Sequence, residues 1–284
     1  MKKLQISFSG GETSAYMTMW CLENFKDEYE MDVVFANTGD EREETLEFVK
    51  KCDEYFGFNT TWVEAVVHHG ERKSNTHKIV DFTTASREAE PFKEIVKKYG
   101  IPNQAYPHCT RSLKTEPMHS YTKSKFGTDY YTAIGIRADE FDRMNENYKK
   151  LKYIYPLIDN GITKKHINYF WQNQPFRLDL KGYEGNCKAC WKKSDRKLFT
   201  IALENPQAFK NMMEIENEFY GKHPRKPAFY FYRKDRSAKQ IIEQAKNTDF
   251  TKPVDDSVNA NYQIGIFDSD LDVGFGCSES CEPF

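Results

Sequence analysis

The chain has 284 residues, 39% of them hydrophobic and 15% aromatic, with 41 basic and 43 acidic side chains for a formal net charge of −2. That is enough for one large core with a smaller appended region, and it excludes a global basic field of the kind that gathers nucleic acid, leaving only local basic patches. A mean hydropathy of −0.78 without a long apolar run excludes a membrane span, and the start Met1-Lys2-Lys3-Leu4 is too short in apolar residues for a secretory leader, so a cytoplasmic location is expected.

In chain order, Leu4–Phe8 reads as a short strand, followed by a Ser-Gly-Gly turn and a helical pattern from Thr13 to about Leu22. Met31–Ala36 is a continuous apolar run, as in a strand of a parallel sheet buried on both faces. Asn37 to Asp40 is a turn, Glu41–Tyr55 a helix, and Thr60–Val67 a β-branched third strand. This alternation predicts an α/β fold with a doubly wound, mainly parallel sheet. Helices are expected over Lys93–Tyr99 and Leu113–Phe126, and a strand over Tyr130–Ile136. Beyond it come a short strand at Tyr153–Ile158 interrupted at Pro156, then helices at Lys164–Gln172, Arg196–Glu204, Pro206–Tyr220 and Ser237–Ala245. The tail from Asn247 is rich in Asp, Ser and Asn and reads as extended.

The segment Ser7-Phe8-Ser9-Gly10-Gly11-Glu12-Thr13-Ser14 lies between a strand and a helix. Two consecutive glycines let backbone N–H groups approach anionic oxygens with no Cβ in the way. The helix N-terminus adds partial positive charge, and Ser9, Thr13 and Ser14 supply hydroxyl donors. A plain strand-to-helix connection with a Ser or Thr cap is the competing reading.

Ser9-Gly10-Gly11-Glu12-Thr13-Ser14 resembles the S-G-G-x-D-S loop of the PP-loop superfamily, which includes phosphoadenylyl-sulfate reductases and ATP pyrophosphatases; it departs at Thr13, where Asp is common. Phe35 to Glu41 resembles the strand end and Asn/Asp-Thr-Gly turn of those reductases, which implies nucleotide contacts from Asn37 and Thr38; the alternative is a simple turn capped by Asp40. Gly135-Ile136-Arg137-Ala138-Asp139-Glu140, with Arg143 following, is similar to the family's G-x-R-x-x-E segment. Gly135 permits close backbone approach there, and Arg137 and Arg143 offer bidentate donors to phosphate or sulfate; a surface charge cluster is the other reading. The resemblance implies a nucleotide-binding domain over 1–150, a helical, cysteine-containing region over 151–246, and a tail over 247–284.

Seven cysteines cannot all pair internally. Cys109, with Cys187 and Cys190 in a C-x-x-C, is similar to the Cys-Cys, long spacer, C-x-x-C arrangement of iron–sulfur adenylyl-sulfate reductases, with His108 standing where the first cysteine would be. Three thiolates and that position suit a 4Fe-4S cluster. The same four residues suit a closed zinc site, and reduced, buried cysteines are the third possibility. Lys114 would offset negative charge beside the cluster and the nucleotide. Cys277 and Cys281 stand where the reductases carry a nucleophilic tail cysteine, but the family's tail motif is absent; a labile dithiol or a metal clip are the alternatives. The basic run Lys192 to Lys197 reads as a phosphate or RNA contact or as a solvated helix start, and His68 and His69 sit at a sheet end. Cys21 and Cys52 lie in apolar helical patterns and read as core.

The resemblance therefore implies an adenine nucleotide, ATP with magnesium or adenylyl sulfate, used for sulfur-related or adenylation chemistry. Catalytic roles would fall to Lys114, Arg137, Cys277 and Cys281, with a thiol reductant or a nucleic-acid substrate as partner. A non-catalytic nucleotide-binding accessory protein with structural zinc, or a nucleic-acid sulfur-modification enzyme, is the alternative.

Overall fold

A computed structural model of the chain describes residues 1–70, 72–224, 227–253 and 255. The first strand, β1 (Lys2–Ser7), leads into α1 (Glu12–Asn24), followed by β2 (Tyr29–Asn37), α2 (Glu43–Phe56) and β3 (Thr61–Val66). Strand β4 (Thr76–Val80) and helix α3 (Glu90–Tyr99) come next, then a π-helical turn at Arg111–Thr115 that runs on into α4 (Glu116–Phe126). Strand β5 (Tyr131–Ala133), a 3-10 segment (Ala138–Arg143), α5 (Tyr148–Leu151), β6 (Tyr153–Ile154), α6 (Pro156–Asp159) and α7 (Lys164–Gln172) follow. The remaining helices are α8 (Asp195–Glu204), α9 (Lys210–Phe219) and α10 (Ala238–Asn247). None is long and apolar enough to cross a membrane.

The strands form one sheet in the order β4-β3-β2-β1-β5-β6. Every pairing is parallel except β3 with β4. Successive side chains of a strand point to opposite faces, and the apolar run of β2 fills both. Val33 and Phe35 join Leu4, Ile6 and Trp62 in the core under α1 and α2, while Val34 and Ala36 pack with Val63 against Met118 and Tyr121 of α4. Helices thus cover both faces, as the apolar runs predict.

The sheet unit extends past residue 150. Strand β6 pairs with β5, and Leu157, Ile167 and Trp171 from α6 and α7 belong to the core under α1. The strand expected over Tyr153–Ile158 stops at Ile154, because Pro156 has no N–H for a ladder and instead starts α6. A second core gathers Leu198, Ile201, Phe209, Met212, Ile215, Phe231, Tyr232 and Ile241 from the C-terminal helical region around Phe92, Ile95 and Leu113.

Candidate functional site

The sheet's connections move outward from β1 through β2 and β3, then return to place β5 on the other side of β1. Such a reversal opens a crevice at the carboxyl ends of the two strands, where open α/β sheets bind ligands. The loop Ser7 to Ser14 leaves β1 at that point, and Gly135 and Arg137 follow β5. Arg137 closes the gap, its Nη1 donating to Thr13 Oγ1 at 3.4 Å. Its Nε lies 3.1 Å from Asp139 and its Nη1 3.5 Å from Glu140, which also accepts from Arg143 at 2.8 Å. The two arginines are thus held in one charged cluster beside the loop.

Gly10 has φ +82°, a left-handed conformation, and a Cβ there would stand 2.7 Å from Thr45 Cγ2. Gly11 precedes α1, and no side chain caps that helix. The loop is buried throughout. The Ser9 and Ser14 hydroxyls lie 2.8 Å apart, Ser14 Oγ donates to the Gly11 carbonyl at 3.0 Å, and the Ser9 N–H donates to Ser14 Oγ at 3.2 Å. Glu12 puts a carboxylate on the first turn of α1, where Arg177 grips it through Nε at 3.0 Å and Nη2 at 2.9 Å. Trp171 Nε1 donates to the Glu12 carbonyl at 3.0 Å.

The turn after β2 is held by bonds within the protein. Asn37 is fully buried, and its Nδ2 donates to Glu64 Oε1 at 2.7 Å and to the Ser86 carbonyl at 2.9 Å, so it ties β2 to β3. Thr38 Oγ1 donates to Glu41 Oε1 at 3.2 Å and accepts the Asp40 N–H at 3.3 Å. Burial pushes the Asp40 carboxyl up to about 7, against the opposing hydrogen bond from Asn211 Nδ2 at 2.8 Å. Lys114 reaches this turn from the π-helical turn, with Nζ 3.2 Å from Glu41 Oε1 and both side chains buried.

The segment carrying the C-x-x-C crosses the same turn. Glu41 and Cys187 form an isolated antiparallel bridge, and the Cys187 thiol donates to Glu41 Oε2 at 3.6 Å. Lys188 N–H donates to the Asp40 carbonyl at 3.1 Å, and Lys193 Nζ to the Cys187 carbonyl at 3.1 Å. One residue earlier, Asn186 Nδ2 donates to the Ser9 carbonyl at 2.8 Å. The cysteine segment and the glycine loop, read in the sequence as separate features, are therefore bonded to each other. Asn186, Glu41 and Glu12 escaped the sequence reading because their partners are remote in the chain.

His108 shares a hydrogen bond of 3.0 Å with the Gly100 carbonyl through Nε2, and Cys109 packs against the C-terminal core. Among the described residues, no three His, Cys, Asp or Glu side chains are gathered where they could hold a metal ion. Cys277 and Cys281 lie outside the described residues. In the basic run, Lys192 Nζ meets Thr110 Oγ1 at 3.0 Å, Lys193 is buried, and Ser194 caps α8. His68 bonds Thr76 at 2.8 Å and His69 bonds Glu94 at 2.7 Å. Cys21 and Cys52 are fully buried, and burial pushes both thiols up.

A family model described as the phosphoadenosine phosphosulfate reductase domain matches residues 3–158, from β1 into α6. The uncharacterized nin region protein ORF290 of Escherichia phage lambda is 32% identical over 287 residues, covering 98% of this chain and 94% of that protein. Two uncharacterized proteins of Methanocaldococcus jannaschii are 26% and 24% identical; the matches cover 78% and 76% of this chain but 43% and 48% of their own lengths.

Proposed function

Because the chain belongs to the phosphoadenosine phosphosulfate reductase domain family, we propose that it binds an adenine nucleotide, ATP or adenylyl sulfate, at the Ser9–Ser14 loop for sulfur-transfer or adenylation chemistry. The observation that carries this reading is the meeting of Thr13 and Arg137 across the crevice between β1 and β5. A glycine-rich turn, an uncapped helix N-terminus and a guanidinium converge there, the combination that suits a phosphate or phosphosulfate group.

In this reading the backbone N–H groups of Gly10 and Gly11 face charge that develops on phosphate oxygens. Arg137 neutralises and orients the anion, and Arg143 steadies it through Glu140. Lys114 and Glu41 form a buried ion pair at the neighbouring strand end. Cys109, Cys187, Cys190 and His108 would hold the iron–sulfur cluster or zinc that the resemblance implies, and the His108 Nε2 bond to the Gly100 carbonyl is of the kind that orients a ligating imidazole. No step is assigned to the cluster or metal.

Isothermal titration with magnesium ATP and, separately, with adenylyl sulfate tests the reading, coupled to assays for pyrophosphate and sulfite. Saturable binding of at least one nucleotide is expected, and the released product then separates adenylation from reduction. Intact protein that binds neither nucleotide would remove the loop from consideration.

A further inference from the structure

We infer that Asn186 is a positioning residue that latches the Ser9–Ser14 loop shut, so that ligand entry there is coupled to movement of the segment Gly185–Cys190. The inference rests on anion binding at that loop. Four observations carry it.

The loop residues Ser9, Thr13 and Ser14 are 5%, 4% and 0% exposed. Their hydroxyl and amide donors are partly turned on one another, Ser9 to Ser14 and Ser14 to Gly11. Asn186 and Gly185 stand with Gly11 and Glu12 along one small pocket at the start of α1. Asn186 Nδ2 lies over the loop on the Ser9 carbonyl; that acceptor also fixes the orientation of the carboxamide, since a flipped group would set oxygen against oxygen.

The segment is held down beyond this one bond. The Asn186 carbonyl accepts the Arg42 N–H at 2.8 Å, and the Arg42 guanidinium pairs with Glu184 at 3.2 Å. Lys188 and Lys193 tie the far side to the Asp40 and Cys187 carbonyls. Gly185, at φ +62°, supplies a backbone joint at the near end. An anion of phosphate size reaches the loop amides only when Asn186 lets go, and Cys187, the next residue, then moves relative to Glu41. Ligand binding is in this way linked to the surroundings of a thiol that need not touch the ligand.

The test pairs titration calorimetry with alkylation of Cys187 by N-ethylmaleimide, followed by peptide mass spectrometry, with magnesium ATP and adenylyl sulfate as probes in turn. Removing the latch raises the fraction of binding-competent protein, so Asn186→Ala is expected to bind the probe about three- to tenfold more tightly. In the wild type, saturating probe speeds alkylation of Cys187 several-fold, and this difference shrinks in the variant. Glu184→Gln loosens the segment without touching the loop and is expected to act in the same direction more weakly, which keeps the test open if Asn186→Ala does not fold. Weaker binding by both variants overturns the latch, as does probe binding that leaves Cys187 alkylation unchanged; in the latter case nucleotide binding itself stands. Wild-type protein that binds neither probe overturns the latch together with the reading beneath it.

Discussion

Arg137 holds its guanidinium 3.4 Å from the Thr13 hydroxyl and so joins the ends of two neighbouring parallel strands. The contact brings a permanent cation to the glycine loop, next to the N-terminus of α1. Replacing Arg137 by Ala removes a charge-assisted donor set worth about 1.5–3 kcal/mol, and nucleotide affinity is expected to fall roughly ten- to a hundredfold by calorimetry. Arg137→Lys keeps the charge but not the fork and should recover only part of it. Full affinity in Arg137→Ala would detach the arginine from the ligand.

Gly10 is constrained twice over. Its φ is +82°, and an added Cβ would meet Thr45 Cγ2 at 2.7 Å, Phe35 at 3.1 Å and Val49 at 3.2 Å. Gly57, at φ +67°, has open space around the same position. Gly57→Ala therefore carries backbone strain alone, about 1–2 kcal/mol, whereas Gly10→Ala adds overpacking of about 1–3 kcal/mol. Urea denaturation of the two variants measures the difference; equal midpoints would show that α2 gives way without penalty.

Two buried carboxyls set a pH dependence. Desolvation pushes Asp40 and Glu216 each up to about 7, while in the unfolded chain such groups titrate near about 4. Between those values the folded state keeps protons that the unfolded state has lost, so stability falls as pH rises from about 4 to about 7. Glu204 works in the opposite window. Hydrogen bonds from Lys181 and Tyr183 hold it down to about 2, and its contribution, present above about 4, is lost on further acidification. Urea midpoints are expected to be highest near about pH 4 and to decline toward about pH 7, with a shallower decline in Asp40→Asn. A midpoint that rises over that range would contradict the assignment.

Strands β1 to β3 and the glycine loop were legible in the sequence because each is announced locally, by an apolar run or by consecutive glycines. Strand β4 was missed. Its residues Thr76 to Val80 are mostly exposed and carry little apolar pattern, and only pairing with β3 makes them a strand. The helix expected from Leu113 instead begins at Cys109 and carries a π-helical turn over Arg111–Thr115, a local irregularity that hydrophobic periodicity does not encode. Local spacing makes some positions of the candidate site legible and leaves others to long-range contacts. Arg137 follows from its place after β5, whereas Asn37 has the right position for a ligand contact but is consumed by Glu64 and Ser86. The acid at Glu41 acquires its meaning from Lys114 and Cys187, which the chain brings to it only on folding.

The bond from Asn186 to Ser9 also orders events during synthesis. An N-terminal fragment stopping at residue 158, where the family match ends, contains all six strands among the described residues but not the donor for the Ser9 carbonyl. In the order of synthesis, the strands therefore precede both α7, whose Ile167 and Trp171 complete the core under α1, and the residue that bonds the Ser9 carbonyl. Maturation of the site is a late, long-range step, imposed by where the closing residue falls along the polypeptide.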